Sequence, residues 1–185
     1  MKTVLLPTDY SRNAWNAVFT AIKLFHKIKC RFILIHAYQA GLTSVTGDSG
    51  THQMIDIYES LRKAAETEMQ KTLEYLAGEH QDPRHSFEGR CIQGDLVHAI
   101  ETSQSRDSID LIVMGTQGAT GAKRVFMGSN TVRALKEIRH IPILAVPGAY
   151  DLQRLQEVVF PTDYLHPVET FELQPLLEIL QNWKA

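Results

Sequence analysis

The stretch Leu111-Ile-Val-Met-Gly115-Thr116-Gln117-Gly118, followed after nine residues by Gly128-Ser129-Asn130, decides how this chain is read. It runs from a short apolar strand through a glycine-rich loop to the start of a helix. Glycine lacks a Cβ, so its backbone turns at positive φ and approaches a ligand closely. Ser129 falls where a helix N-cap is expected, ahead of first-turn N–H groups that have no acceptor within the helix. Such groups at the positive end of a helix dipole form an anion site, and phosphate is the common anion. No Gly-Lys-Ser/Thr follows, so the loop is not a Walker A motif. Gly115, Gly118 and Gly121 are spaced by three, unlike a dinucleotide fingerprint. Lys123 and Arg124 either reach phosphates, as point charge and fork, or are solvated loop charges. A plain glycine-rich connection between strand and helix is the alternative to a phosphate loop.

On either side of this stretch, strand-like and helix-like segments alternate, the pattern of an α/β chain with a parallel sheet. Val4-Leu5-Leu6 is a first strand, ended by Pro7. Ala14, Ala17, Val18, Ala21, Ile22, Leu24 and Phe25 recur at helical spacing between Ser11 and about Lys27. Arg31–Ala37 is apolar on both faces, as a central parallel strand is. Gln39–Gln53 reads as a Gly/Ser/Thr-rich loop that covers a site or stays mobile, and Met54 to about Ala77 as a long helix. Ser86–Ile92 is a third strand, ended by Gly94-Asp95, with a helix from Leu96 to about Ser105. Leu111–Met114 is the fourth strand, Ser129 to about Ile138 the fourth helix, and Ile143–Val146 the fifth strand, bounded by Pro142 and Pro147.

Five such units suit a doubly wound sheet with right-handed crossovers and helices on both faces. Ligands of these sheets bind beyond the carboxyl ends of the strands, where the strand order reverses. Pro7-Thr8-Asp9, Ala37-Tyr38 and Met114-Gly115 each follow a strand, so three separate segments are expected to converge on one crevice.

The spacing Gly-x2-Gly-x9-Gly-Ser, together with these segments, resembles the nucleotide-binding branch of the universal stress protein family. The resemblance covers residues 1–147. It implies a five-stranded parallel sheet of order 3-2-1-4-5, with ATP, alone or with Mg²⁺, lying across the edge between strands one and four. It places Asp9 near the ribose and adenine, where a carboxylate accepts hydrogen bonds from hydroxyls. Asp9 can equally cap the helix that begins near Ser11, or do both. Pro7 and Thr8 would line the same floor, the Ala37 backbone would read the adenine edge, and Met114 would pack on the base. Gly115, Gly118, Gly128, Ser129 and Asn130 would hold the phosphates. Asn130 departs from the apolar residue often seen there, which favours its backbone N–H over its side chain.

Catalytic groups are not expected. His36, His98 and His140 stand in no recognisable nucleophile arrangement, and His36 reads as a packed or hydrogen-bonded ring at a strand end. Asp95 reads as a helix cap. No acidic pair with metal-ligand spacing lies near the loop, whereas phosphoryl transfer needs placed Mg²⁺ and an oriented acceptor. Binding of ATP is thus the leading reading, in a dimeric or higher homo-oligomeric regulator of stress response. A slow ATPase on the same site is the runner-up, and an interaction module without nucleotide is a third.

The tail carries a repeat. Val158-Val-Phe-Pro161-Thr162-Asp163-Tyr164 restates Val4-Leu-Leu-Pro7-Thr8-Asp9-Tyr10 with Val, Pro, Thr, Asp and Tyr in register. Residues 1–150 are therefore read as the nucleotide-binding domain and 151–185 as a partial second copy, with one strand and one helical segment. Val168, Phe171, Leu176, Leu177, Ile179, Leu180 and Trp183 form its apolar stripe, and Pro175 is expected to break or start a helix. No second glycine motif accompanies it, so Asp163 is not expected to bind nucleotide. A strand and a helix cannot bury their faces alone. The tail either folds back on the first domain or docks in an oligomer by strand exchange.

Composition sets the outer bounds. Hydrophobic content of 44% and charged content of 22% are those of an ordinary globular chain. A net charge of −2 argues against binding driven by nucleic-acid phosphates. No apolar run approaches the roughly 18–20 residues that cross a bilayer, and the apolar stretch at Met1–Leu6 is short for a signal peptide. Cys30 and Cys91 lack metal spacing and read as small buried thiols. A cytoplasmic setting is expected.

Overall fold

Strand β2 (Cys30–Tyr38) holds Phe32, Ile33, Leu34 and Ile35 at zero exposure, because it has a strand on each side and a helical layer on each face. Its neighbours are β1 (Lys2–Pro7) and β3 (His85–Gln93), and β4 (Leu111–Gly115) and β5 (Ile143–Val146) complete the sheet. The order is β3-β2-β1-β4-β5 and every pair is parallel. These details come from a computed structural model that describes residues 1–39, 49–117, 127–148, 151–161, 165 and 169–183.

Alternation along the strands divides the core in two. Val4, Leu6, Phe32, Leu34 and Val113 face helices α1 (Arg12–Leu24) and α2 (Ser49–Glu79), where Val18, Ala21, Met69 and Leu76 meet them. Leu5, Ile33, Ile35 and Ile112 face the other way, onto Val97 and Ile100 of α3 (Leu96–Gln104) and Ala134 of α4 (Ser129–Glu137). This is the expected doubly wound α/β sheet with helices on both faces.

Helix α1 starts where Ser11 accepts a hydrogen bond from Ala14 N at 3.2 Å. It ends at Leu24, short of the expected Lys27, and the His26 ring caps its last turn by donating from Nδ1 to Lys23 O at 2.9 Å. Helix α2 begins at Ser49, inside the segment read as loop, whereas the apolar pattern reveals it only from Met54. Residues 40–48 of that loop lie outside the described residues. Edge strand β3 is fastened by charge. Arg31 of β2 pairs with Glu88 of β3 and, at 2.6 Å, with Asp107, and Arg90 pairs with Glu88 and Asp107 at 2.6 Å each. Inward-turned charges of this kind protect an open edge. Cys30 is buried, which pushes its thiol up to about 12, whereas Cys91 is only half-buried.

The expected strand at Val158–Phe160 does not form. These residues pair with no strand, and Val159 is 78% exposed. The tail instead fastens at two points. Leu152 is buried in the core layer of α1 and α2. Helix α5 (Thr170–Trp183), with Pro175 inside it rather than at its end, packs Ile179 and Trp183 on the same layer. Trp183 Nε1 donates to Leu24 O at 3.0 Å, and Lys2 pairs with Glu178 at 2.5 Å. No described helix is long and apolar enough to cross a membrane.

Candidate functional site

Strands β1 and β4 pair only through Val4–Leu111 and Leu5–Ile112, and beyond that pairing the connections leave in opposite directions. A cleft of about 210 Å³ opens there. Pro7, Thr8, Asp9, Ala37, Met114, Gly115, Gly128, Ser129 and Asn130 all line it, from the three expected strand ends and the start of α4. Gly118, Gly121, Lys123 and Arg124 lie outside the described residues.

The floor is held by hydrogen bonds that fix one wall to the next. Thr8 N donates to Ile35 O at 2.9 Å, so the chain leaving β1 stays against β2. Thr8 O accepts from His36 Nδ1 at 2.9 Å. A carbonyl only accepts, which fixes Nδ1 as the protonated nitrogen and places His36 as the hydrogen-bonded ring expected of it. Thr8 Oγ1 accepts from Tyr10 N at 3.0 Å, and Asp9 Oδ1 accepts from Ser11 N at 3.0 Å. Asp9 therefore makes a local turn, while Ser11 is the helix cap. Between them Tyr10 takes a φ of +61°, a conformation that residues with a Cβ rarely hold. Tyr10 OH donates to Ala65 O of α2 at 3.1 Å, and its ring meets His36 at 4.6 Å, contacts that hold the turn in place.

The opposite wall is built from small residues. A Cβ on Gly115 would stand 3.0 Å from Asn13 O, so glycine lets β4 end this close to α1 without a shift of the α1 backbone. Thr131 Oγ1 donates to Gly115 O at 2.9 Å and Gly128 N to Thr116 O, which draw the start of α4 onto the end of β4. The N-cap of α4 is Gly128, with φ −69° and ψ 155°, and not Ser129 as the sequence suggested. Gly128 takes the extended cap conformation and makes Ser129 the first helical residue. No N-cap side chain bonds the first turn, and Ser129 and Asn130 are exposed. A first turn without a side-chain cap, open to a cleft, is the arrangement that receives an anion.

A fourth strand end joins the site. Gly94 and Asp95, which follow β3, line the cleft, with Leu96, Gln39 and Gln117. Asp95 caps α3, as expected, by accepting from His98 N at 3.0 Å, and it also pairs with Arg133 of α4 at 2.8 Å. These two partners, the His98 amide first, hold its carboxyl below the usual carboxylate range. The glycine after the third strand was the signal for this wall. Gly94 stands at φ +129°, where the chain turns sharply toward the cleft.

Comparison with known proteins agrees with this architecture. A sequence model of the Universal stress protein family matches residues 1–147. The universal stress protein MJ0577 of Methanocaldococcus jannaschii is 26% identical over 154 residues, covering 78% of this chain and 94% of that protein. Among solved structures, universal stress protein UspA from Lactobacillus plantarum superposes with a TM-score of 0.65 at 17% identity, over 78% of this chain and 97% of its own. A universal stress protein family member from Arabidopsis thaliana, described with AMP bound, superposes with a TM-score of 0.51 at 14% identity, over 80% and 92%. With this sheet order and a match over its first 147 residues, the chain belongs to the universal stress protein family.

Proposed function

We propose that the cleft binds an adenine nucleotide, ATP in preference to AMP, and that the chain acts as a nucleotide-dependent regulator of stress response. The observation that carries this reading is the convergence of four strand ends on the uncapped start of α4. The AMP described in the Arabidopsis relative supports the choice of adenine. The spacing Gly115-x2-Gly118-x9-Gly128-Ser129, which resembles that of the family's nucleotide-binding branch, supports a triphosphate, with Mg²⁺ arriving on it. Asp9 and Ala37 take the nucleoside end and Ser129 and Asn130 the phosphate end. A homodimer, or a higher homo-oligomer, is the assembly we assign to it.

Nucleotide released on denaturing freshly purified protein, followed by titration of the stripped protein with ATP, ADP and AMP, tests the proposal. ATP at close to one equivalent, with micromolar rebinding, is the expected result. Asp9→Ala should weaken binding about tenfold, or ~1.4 kcal/mol, with the far-ultraviolet spectrum unchanged. ADP alone would favour a slow ATPase on the same site, and absence of any binding would overturn the nucleotide reading.

A further inference from the structure

Far from the cleft, where α2 ends and β3 begins, His80, Asp82 and His85 bring two imidazoles and a carboxylate together. Their ligand atoms all lie within 4.8 Å of one another. Each side chain is half-buried rather than dispersed in solvent. The geometry points to a binding site for a divalent late first-row metal ion, Zn²⁺ above all, held by His80, Asp82 and His85.

The orientation of His85 carries the argument. Its Nε2 lies 3.1 Å from Phe25 O, and a carbonyl only accepts, so Nε2 holds the ring proton. Nδ1 is then the lone pair, and it points at His80 Nε2, 2.7 Å away. An imidazole that donates one nitrogen to a backbone carbonyl and offers the other is the usual second-shell arrangement of a metal-binding histidine. The ring is fixed further by Phe32, whose edge-on contact has a centroid distance of 5.1 Å.

Without metal, one proton on His80 Nε2 bridges the two nitrogens. A metal ion would replace that proton, which passes through solvent to His80 Nδ1, and the ring stays neutral. Two nitrogens on a tetrahedral ion at 2.0–2.1 Å lie about 3.3 Å apart, so the rings must separate by roughly 0.6 Å. His80 stands just beyond Glu79, the last residue of α2, and its ring meets Phe87 edge-on at 5.8 Å, so the rotation that admits the ion must keep or shift that contact. Asp82 is held by Arg84, whose Nε and Nη2 contact its oxygens at 2.9 and 2.6 Å. Arg84 N also donates to Oδ1 at 2.9 Å, so the carboxylate's lone pair left for an ion is on Oδ2. The guanidinium orients it but also repels a cation, so binding in the micromolar range is expected rather than tighter. The negative end of the long α2 helix dipole acts the other way and favours a cation.

Two imidazoles and one carboxylate form the three-ligand set found in zinc sites that leave a fourth position open. The mixture of nitrogen and oxygen donors suits Zn²⁺, Ni²⁺ or Cu²⁺ and not Mg²⁺, which takes oxygen ligands alone. Because the ligands come from both sides of the α2–β3 turn, a bound ion would clamp the end of α2 to an edge strand.

The test uses the full chain without a polyhistidine tag, stripped with chelator, and titrated with ZnCl₂ in the absence of nucleotide. One equivalent of Zn²⁺ should bind, resist excess Mg²⁺ and raise the melting temperature. His80→Gln and Asp82→Asn leave the His85 packing in place, and each should weaken Zn²⁺ by at least about tenfold, the least that loss of even an outer-shell partner costs. Co²⁺ in place of Zn²⁺ should give the visible bands of a tetrahedral site, lost in His80→Gln. No bound equivalent in the wild type, or equal affinity in the folded variants, would overturn the proposal.

Discussion

Two closely similar short stretches of this chain meet two fates. Val4-Leu-Leu-Pro7 forms the central strand β1, with Leu5 and Leu6 at zero exposure. Val158-Val-Phe-Pro161 forms no strand, with Val159 at 78% and Phe160 at 48% exposure. Local preference does not explain this, since Val158-Val159-Phe160 is at least as rich in strand-favouring residues as Val4-Leu5-Leu6. What differs is company. β1 has β2 on one side and β4 on the other, each supplying backbone partners and a layer of side chains. The second copy pairs with no strand among the described residues. A strand is thus a property of its neighbours as much as of its residues.

The sharpest way to break this comparison is to make matching truncations. Leu6→Ala should lower the free energy of unfolding in urea by about 2–5 kcal/mol, because the cavity it leaves lies in a packed layer. Val159→Ala should stay within about 0.5 kcal/mol of the parent, as exposed substitutions do. A comparable loss for both would mean that the second copy is buried in solution, against another chain.

A smaller effect tests what does hold the tail. Trp183 donates to Leu24 O and meets the His26 ring edge-on at 5.3 Å. Trp183→Ala should therefore cost about 1–2 kcal/mol, one hydrogen bond and part of an aromatic surface. No change in the urea midpoint would show that α5 is undocked, and would return strand exchange between protomers to consideration.

These two regions also show what the sequence can and cannot disclose. Continuous apolar runs such as Phe32–Ile35 announce buried parallel strands directly, and the glycine spacing after β4 marks the cleft. Segment ends are less legible. Gly128 and Ser129 are both credible caps, and only the extended conformation of Gly128 decides between them. The third strand and its Gly94-Asp95 ending were visible, but their arrival in the cleft depends on how β3, two strands away from β1, curves toward it. The Val158–Phe160 repeat was legible as a repeat and misleading as a strand, because sequence identity carries no information about neighbours. His80, Asp82 and His85 straddle the end of a helix, so no single periodicity brings them together.

The smallest effect concerns the charges that pin the tail to the first domain. Glu178 lies below its ordinary pKa because Lys2 donates to it, against the opposing effect of burial. Asp151 is lowered by the hydrogen bond from Lys23, then by Gln153. A carboxyl whose folded value is lowered stabilises the folded form fully above its unfolded value, about 4 for these groups. That contribution fades as the pH falls through the lowered folded value, so acid, and not base, should loosen the tail. Pairs this exposed are weak, and salt weakens them further. The chain has two tryptophans, Trp15 in α1 and Trp183 in α5, so Trp15→Phe leaves emission that reports on the tail alone. Between about pH 8 and 5 that emission should hold steady, and below about pH 4 it should shift to the red before helical circular dichroism declines. Glu178→Gln should flatten the shift by removing the titrating partner of Lys2. A red shift at the same pH in Glu178→Gln would show that the helix is held by its apolar face, with the ion pairs as bystanders.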